Sequence, residues 1–335
     1  MAGSRIGQVY PPAADSQFIE ATSFQHCEER IPKVVGLVCD DANLHGSLSK
    51  KMAEHGFACT STSSPHDSVL FVESSASALF QFVNGQPFPP PPLCVLPHPN
   101  NPFSLGLTYG IRTIEDAIEV LKSGQTIATD ATKVSFGSTV CHSLHSISLN
   151  PLYTSLSSTS LLSYLTSFIC TTPKLSCKIK IEDYDYDELS IHTLMNSTAQ
   201  SQVFENTEAQ QKFTSITVHN QSRYVGPPSF ATGFGNNCEP NDGRLDAVFL
   251  FPCNGLYLLK RARRAIHKLG VRWYSGSSSV VYLHPREIKL SALTIDGGEI
   301  EIDGILHPIG GADVTLKCVE SCVIMYGKKD GEETS

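Results

Sequence analysis

The arrangement of apolar positions changes character near residue 135. Ahead of that point, short and mainly apolar runs recur at Val34 to Val38, Ser68 to Val72 and Leu93 to Leu96. Runs of this length, bounded by polar and turn residues, predict strands buried on both faces. Phe57 to Thr60 predicts a further strand. Helices are expected between them, at Ser47 to His55 before Gly56, and at Ala78 to Val83 before Asn84-Gly85. The clearest helix runs from Thr113 to Ser123. Thr113 caps it with Asp116 as its capping-box partner, Ile114, Ala117, Ile118 and Leu121 share one face, and Gly124 stops it.

Beyond 135 the pattern predicts mainly strands: Leu175 to Ile181, Phe213 to His219, Leu245 to Phe251, Ser278 to Leu283, Glu299 to Ile302 and Val314 to Leu316. Lys178 to Ile181 and Glu299 to Ile302 alternate polar with apolar, as half-buried antiparallel strands do. One helix, Leu256 to Leu269, interrupts them. The predicted fold is therefore α/β plus all-β. An N-terminal three-layer α/β domain with a mainly parallel sheet (33–135) precedes an antiparallel, β-sandwich-like domain (136–325). Residues 1–32 read as an irregular arm or a short edge strand, and 326–335 as a polar tail. Pro87 to Pro92, broken only by Phe88, reads as a stiff connection.

Composition narrows the class. The 335 residues are 41% apolar and 17% charged, which is globular and not disordered. A formal net charge of -8 argues against a nucleic-acid partner. No apolar run reaches the roughly 18–20 residues of a membrane helix. The nearest, Leu149 to Cys170, is full of Ser and Thr, and Met1 to Tyr10 has no apolar signal core. A soluble, cytoplasmic protein is expected. The eleven cysteines include no Cys-x-x-Cys pair, and Cys318 and Cys322 read as free thiols on a core strand.

Generic motifs carry little. There is no phosphate-binding P-loop, and Gly233-Phe234-Gly235 lacks the third glycine of a dinucleotide loop. The acidic run Glu182, Asp183, Asp185, Asp187 and Glu188 lacks the central glycine of a calcium loop and reads as a solvated turn. The predicted helix at 256–269 carries Lys260, Arg261, Arg263, Arg264 and Lys268. It reads as a surface helix or as a contact for anionic lipid headgroups through Lys260, Arg261 and Arg264, which would make the protein peripheral to membranes.

The sequence of segments is more specific. Asp67 to Val72 leads to Ser74-Ser75-Ala76-Ser77-Ala78 and a helix ending Asn84-Gly85. Val95-Leu96-Pro97 is followed by His98-Pro99-Asn100-Asn101-Pro102, then Leu105-Gly106. Glu115-Asp116-Ala117-Ile118 runs through Gly124 to Asp130. Ile216 to Asn220 precedes Tyr224-Val225-Gly226, and Asn241-Asp242-Gly243-Arg244-Leu245-Asp246 opens a strand. Near the end comes Ile302-Asp303-Gly304-Ile305, with Asp296-Gly297-Gly298-Glu299 just before it. In this order the chain resembles the diacylglycerol kinase, sphingosine kinase and ceramide kinase superfamily, remotely related to NAD kinases. The resemblance covers residues 34–325. Asn241 to Asp246, matching the family's Asp-Asp-Gly-x-Leu-Asp, is its most specific piece.

The resemblance implies ATP and Mg2+ as cofactors and transfer of the γ-phosphoryl group to the hydroxyl of a sphingoid base, ceramide or diacylglycerol. It implies Asp303, in the Asp-Gly-Glu position, and Asp130 as catalytic carboxylates, with Asp296 as the alternative to Asp303. It implies Ser74, Ser75, Ser77, Asn100 and Asn101 around the nucleotide phosphates and Asp242 at a metal. The Ser/Leu-rich segment 146–170 falls where relatives place the walls of a lipid cleft.

The departures are concentrated on the nucleotide side. The family's Gly-Gly-Asp-Gly-Thr loop is here Ser74 to Ala78, with Ala76 in place of the aspartate. Alanine neither accepts a proton nor holds a metal, and phosphoryl transfer depends on positioned charge. Pro99 and Pro102 remove amide donors from the second loop. Ile305 replaces the glutamate of Asp-Gly-Glu, and Asn241 the first aspartate of the metal turn. Two expectations follow: a lipid kinase with an altered phosphate grip, or a non-catalytic relative that binds a lipid or a protein partner. A divergent NAD kinase is disfavoured by the Asn241 to Asp246 turn.

Overall fold

The computed structural model describes residues 26–27, 31–60, 67–99, 104–149, 175–186, 209–220, 241–252, 280–295 and 298–328. The first elements alternate in type: β1 (His26–Cys27), β2 (Val34–Val38), α1 (Ala42–Glu54), β3 (Ala58–Thr60), β4 (Ser68–Glu73), α2 (Ala76–Asn84) and β5 (Leu93–Pro97). Two helices follow, α3 (Leu105–Thr108) and α4 (Ile114–Ser123). Strands then take over: β6 (Thr126–Phe136), β7 (Thr139–Ser143), β8 (Ser146–Leu149), β9 (Leu175–Tyr186), β10 (Gln211–Phe213), β11 (Ser215–His219) and β12 (Asp246–Leu250). The last are β13 (Val280–Ile295), β14 (Glu299–Ile302), β15 (Ile305–Pro308) and β16 (Val314–Tyr326).

The predicted buried strands form a parallel sheet in the order β3-β2-β4-β5. Every residue of β4 is buried, and successive side chains serve opposite cores. Leu70 and Val72 pack with Leu48 and Met52 of α1 and Ile118 and Leu121 of α4. Val69 and Phe71 pack with Leu79 and Val83 of α2 and with Leu105 and Tyr109. Helices thus cover both faces of the sheet. The capping box of Thr113 and Asp116 is present on α4, and Gly124 ends that helix at φ +69°. Gly106 is required for close approach, because a Cβ there would lie 2.1 Å from the Val95 carbonyl oxygen.

A third core lies among the later strands, built from Val134, Ile147, Ile216, Phe249, Leu283, Ile300 and their neighbours. Those strands pair antiparallel in the order β15-β14-β8-β11-β12-β13-β16. The strand β16 is common to both regions. It pairs antiparallel with β6 along its length, and Met325 pairs parallel with Leu93 of β5.

Three expectations are corrected. First, 126–149 holds β6, β7 and β8, which the apolar pattern did not predict. Second, the run at 182–186 is the end of β9, paired with β13, and not a turn. Glu182 meets Lys180 of its own strand at 2.8 Å, and strand pairing brings Lys289 to 3.1 Å. Third, β16 runs on through residue 326, and the tail expected from that residue begins in a packed position. Tyr326 is 1% exposed, and Lys328 pairs with Asp116 at 2.6 Å and Glu119 at 2.8 Å. The edge strand considered for the N-terminal arm is β1, paired with β6. The predicted helix at 256–269, with Lys260, Arg261 and Arg264, lies outside the described residues, as do Asn100, Asn101, Gly226, Gly233 to Gly235 and Asp296. Most of segment 146–170 does too.

Candidate functional site

The first loop begins where β4 ends. Glu73, the last residue of β4, is fully buried. Its Oε2 accepts the Ser104 hydroxyl and the Leu105 amide, each at 2.6 Å. Its Oε1 lies 2.8 Å from His145 Nε2, in an ion pair bent away from a straight hydrogen bond. Burial pushes the His145 pKa down, but the charge and hydrogen-bonding capacity of Glu73, with Asp303 beyond it, raise it to about 8. Ser74, next along, is exposed, with its hydroxyl 3.4 Å from the Asp40 carboxylate. Ser75 is the N-cap of α2, accepting from the Ala78 amide at 3.2 Å. The Ser75 and Ser77 hydroxyls lie 2.8 Å apart and bond each other.

The second cluster is organised by Asp303. It and Gly304 form the two-residue turn between β14 and β15, at φ +47° and +82°. An Asp-Gly pair suits a hairpin turn that needs two positive φ angles. The buried Asp303 side chain points at the turn between β7 and β8. Its Oδ1 accepts from Ser143 Oγ at 2.6 Å, the His145 amide at 3.1 Å and the Ser146 amide at 2.9 Å. Its Oδ2 accepts from the Leu144 amide at 3.0 Å. Three donors crowd Oδ1, while Oδ2 accepts one and keeps an acceptor site. Asn220, matched to the family's strand asparagine, braces the same turn. Its Nδ2 donates to the Ser143 carbonyl at 2.6 Å, and its Oδ1 accepts from the Thr132 hydroxyl.

Asp130 lies in the third cluster. Between Val319 and Val323 the β16 strand bulges opposite β6, leaving extra residues there. The Asp130 carboxylate closes the bulge by accepting the Ser321 amide at 2.6 Å, and it accepts the Gly243 amide at 2.7 Å. Burial raises its pKa; the two amides pull the other way and Glu320 adds to the rise. Gly243 stands at φ +72° in the turn expected at Asp242-Gly243. Burial and the neighbouring Asp246 push Asp242 up to about 7, with Asp130 adding to the rise. Asp246 is paired with His284 at 3.1 Å.

The expected site residues therefore divide. Asp303 joins Glu73 and His145 in one network, while Asp130 and Asp242 share another. Ala76 supplies no ligand, Ser75 and Ser77 bond each other, and Glu73 holds the Ser104 and Leu105 donors. Among the described residues no three His, Cys, Asp or Glu side chains are arranged to hold a metal ion. Asp242→Asn is expected to stabilise the protein at pH 8. A folded pKa above the ordinary value makes the carboxyl's contribution greatest at low pH and lost as pH rises through about 7. Asparagine keeps an acceptor for the Arg244 amide, bonded at 2.8 Å. The gain, on the order of 1–2 kcal/mol after allowing for solvent screening, should vanish near pH 4 in urea titrations. Glu73 and His145 are absent from the expected set. Their partners are 31 and 72 residues distant along the chain, and no local pattern marks them.

Comparisons with known proteins agree on architecture. No protein-family model matches the sequence, and no curated protein matches it. Solved structures do match. Three solved structures from Bacillus anthracis strain Sterne, two described as of a putative diacylglycerol kinase and one as of a diacylglycerol kinase, align over most of the chain. One aligns with TM-score 0.59 and 14% identity over 90% of this chain and 99% of its own. The second gives 0.56 and 16%, and the third 0.57 and 14%, each over 88% of this chain and 97% of the other. The class is thus a mixed, sheet-rich α/β fold. The particular fold is that of the diacylglycerol kinases, as the resemblance implied.

Proposed function

We propose that this protein uses a lipid-kinase fold without phosphoryl transfer, as a module that binds a lipid. The supporting observation is the buried Glu73 carboxylate, already bonded to the Ser104 hydroxyl and the Leu105 amide and ion-paired with His145. A nucleotide phosphate brought to those donors would compete with the Glu73 carboxylate that already holds them. Ala76 removes the carboxylate that the family carries in its first loop, so the nucleotide side loses both grip and activation. In this reading the α/β region is the former nucleotide layer, and the β-rich region from about residue 136 is the lipid layer. The protein acts in the cytoplasm, peripheral to membranes, with a protein partner as the alternative ligand.

A second reading, a working kinase for a sphingoid base, ceramide or diacylglycerol using ATP and Mg2+, draws on one feature. Asp303-Gly304 is retained, and its carboxylate lies in the same network as the first loop. Transfer of labelled γ-phosphate from Mg-ATP to these three lipids in detergent micelles decides between the two, with thermal shifts by ATP and by lipid alongside. We expect no labelled lipid, no shift with Mg-ATP, and a shift with a lipid. Label in a lipid, lost in a folded Asp303→Asn variant, would establish the kinase reading.

A further inference from the structure

The Glu73–His145 pair connects two parts of the fold that no strand pairing joins directly. Glu73 ends β4 of the parallel sheet, and His145 lies in the turn between β7 and β8. On the sheet side, Glu73 holds the start of α3 through Ser104 and Leu105. On the other side, Asp303 holds the turn through the amides of Leu144, His145 and Ser146. The four elements are therefore linked in one chain of polar contacts: α3, β4, the β7–β8 turn and the β14–β15 hairpin. Its one link of opposite charges is the ion pair. We propose that Glu73 and His145 form a pH-sensitive clasp, closed while the imidazole is protonated, that locks the β7–β8 turn against the loop region after β4.

The charged groups facing the ring are Glu73 and Asp303, and both favour the protonated imidazole. The ring side chain is 17% exposed and that of Glu73 is 0% exposed, so their attraction is weakly screened. Loss of the proton would remove the imidazole's positive charge from beside a buried carboxylate, which is costly. A folded pKa of about 8 against an ordinary 6.5 fixes the window. The contribution is full below pH 6.5 and is lost as pH rises through about 8. The difference corresponds to roughly thirty-fold in the closing equilibrium, an upper bound given the partial exposure of the ring. The clasp operates whether or not the protein transfers phosphate.

Amide hydrogen exchange of the full chain, read by mass spectrometry at pH 6.5 and pH 9 and corrected for intrinsic base catalysis, tests it. In the wild type, opening of residues 104–108 and 143–146 should rise together by up to about thirty-fold, with α4 unchanged. The double variant Glu73→Gln/His145→Gln replaces the charges by a neutral hydrogen-bonding pair and should show no step. In labelled-histidine NMR, one imidazole titrating near pH 8 should disappear in His145→Gln. The proposal is overturned if the wild type shows no coordinated rise, or if the double variant retains it.

Discussion

Alanine at position 303 is expected to destabilise the protein by about 3–5 kcal/mol, measured by urea denaturation at pH 7. The substitution leaves the Ser143 hydroxyl and the amides of Leu144, His145 and Ser146 without their acceptor. It also places alanine at φ +47°, a conformation that Asp tolerates better. Asparagine should recover about half of the loss, because its single carbonyl oxygen serves part of the set. This has a bearing on activity assays. An Asp303→Ala protein that fails to phosphorylate a lipid would report a collapsed turn as readily as a missing base. Only the asparagine variant, shown to be folded, separates the two.

The second large effect is expected at Asp130. Asp130→Ala should cost about 2–4 kcal/mol, since the buried Gly243 amide and the part-buried Ser321 amide lose their acceptor together. The loss is local as well as global. Hydrogen exchange should quicken at residues 319–323, where β16 bulges, and at the Asp242-Gly243 turn. If stability falls while exchange there stays slow, the carboxylate is not what closes the bulge. Both aspartates that the resemblance marks for chemistry thus hold backbone amides in place. A carboxylate can be preserved at a family position for that reason alone.

Much of the first region was legible because its signals are local. The runs at Val34, Ser68 and Leu93 are buried on both faces, and the cap, stripe and stop of α4 lie within twelve residues. The strand β6 gave no such signal. Its buried positions include Thr126, Thr129, Asp130 and Thr132, polar residues that a hydrophobic pattern assigns to the surface. They are buried because β16, β7 and β1 supply partners from elsewhere in the chain. The end of β9 was hidden likewise, Glu182 and Asp183 being matched by Lys289 and Arg286 across the strand pair. Asp303 and Asp242-Gly243 were found by resemblance, but their bonding could not be. The central pair of the site was invisible, since Glu73 looks like a loop residue until Ser104 and His145 are brought to it.

The course of β16 has a consequence for how the protein is made. Its last residues lie beside β5, yet about 230 residues separate Leu93 from Tyr326 in order of synthesis. Until they leave the ribosome, the edge of β5 is an unpaired strand of buried-type residues, a template for wrong partners. The core containing Val69, Phe71 and Tyr109 also waits for Val323 and Met325. Residues 33–135 read like one unit, yet part of the core they build is supplied by β16. The first sheet waits for residues 323–326 to be made before that edge is covered, and an uncovered edge is prone to aggregation in the meantime.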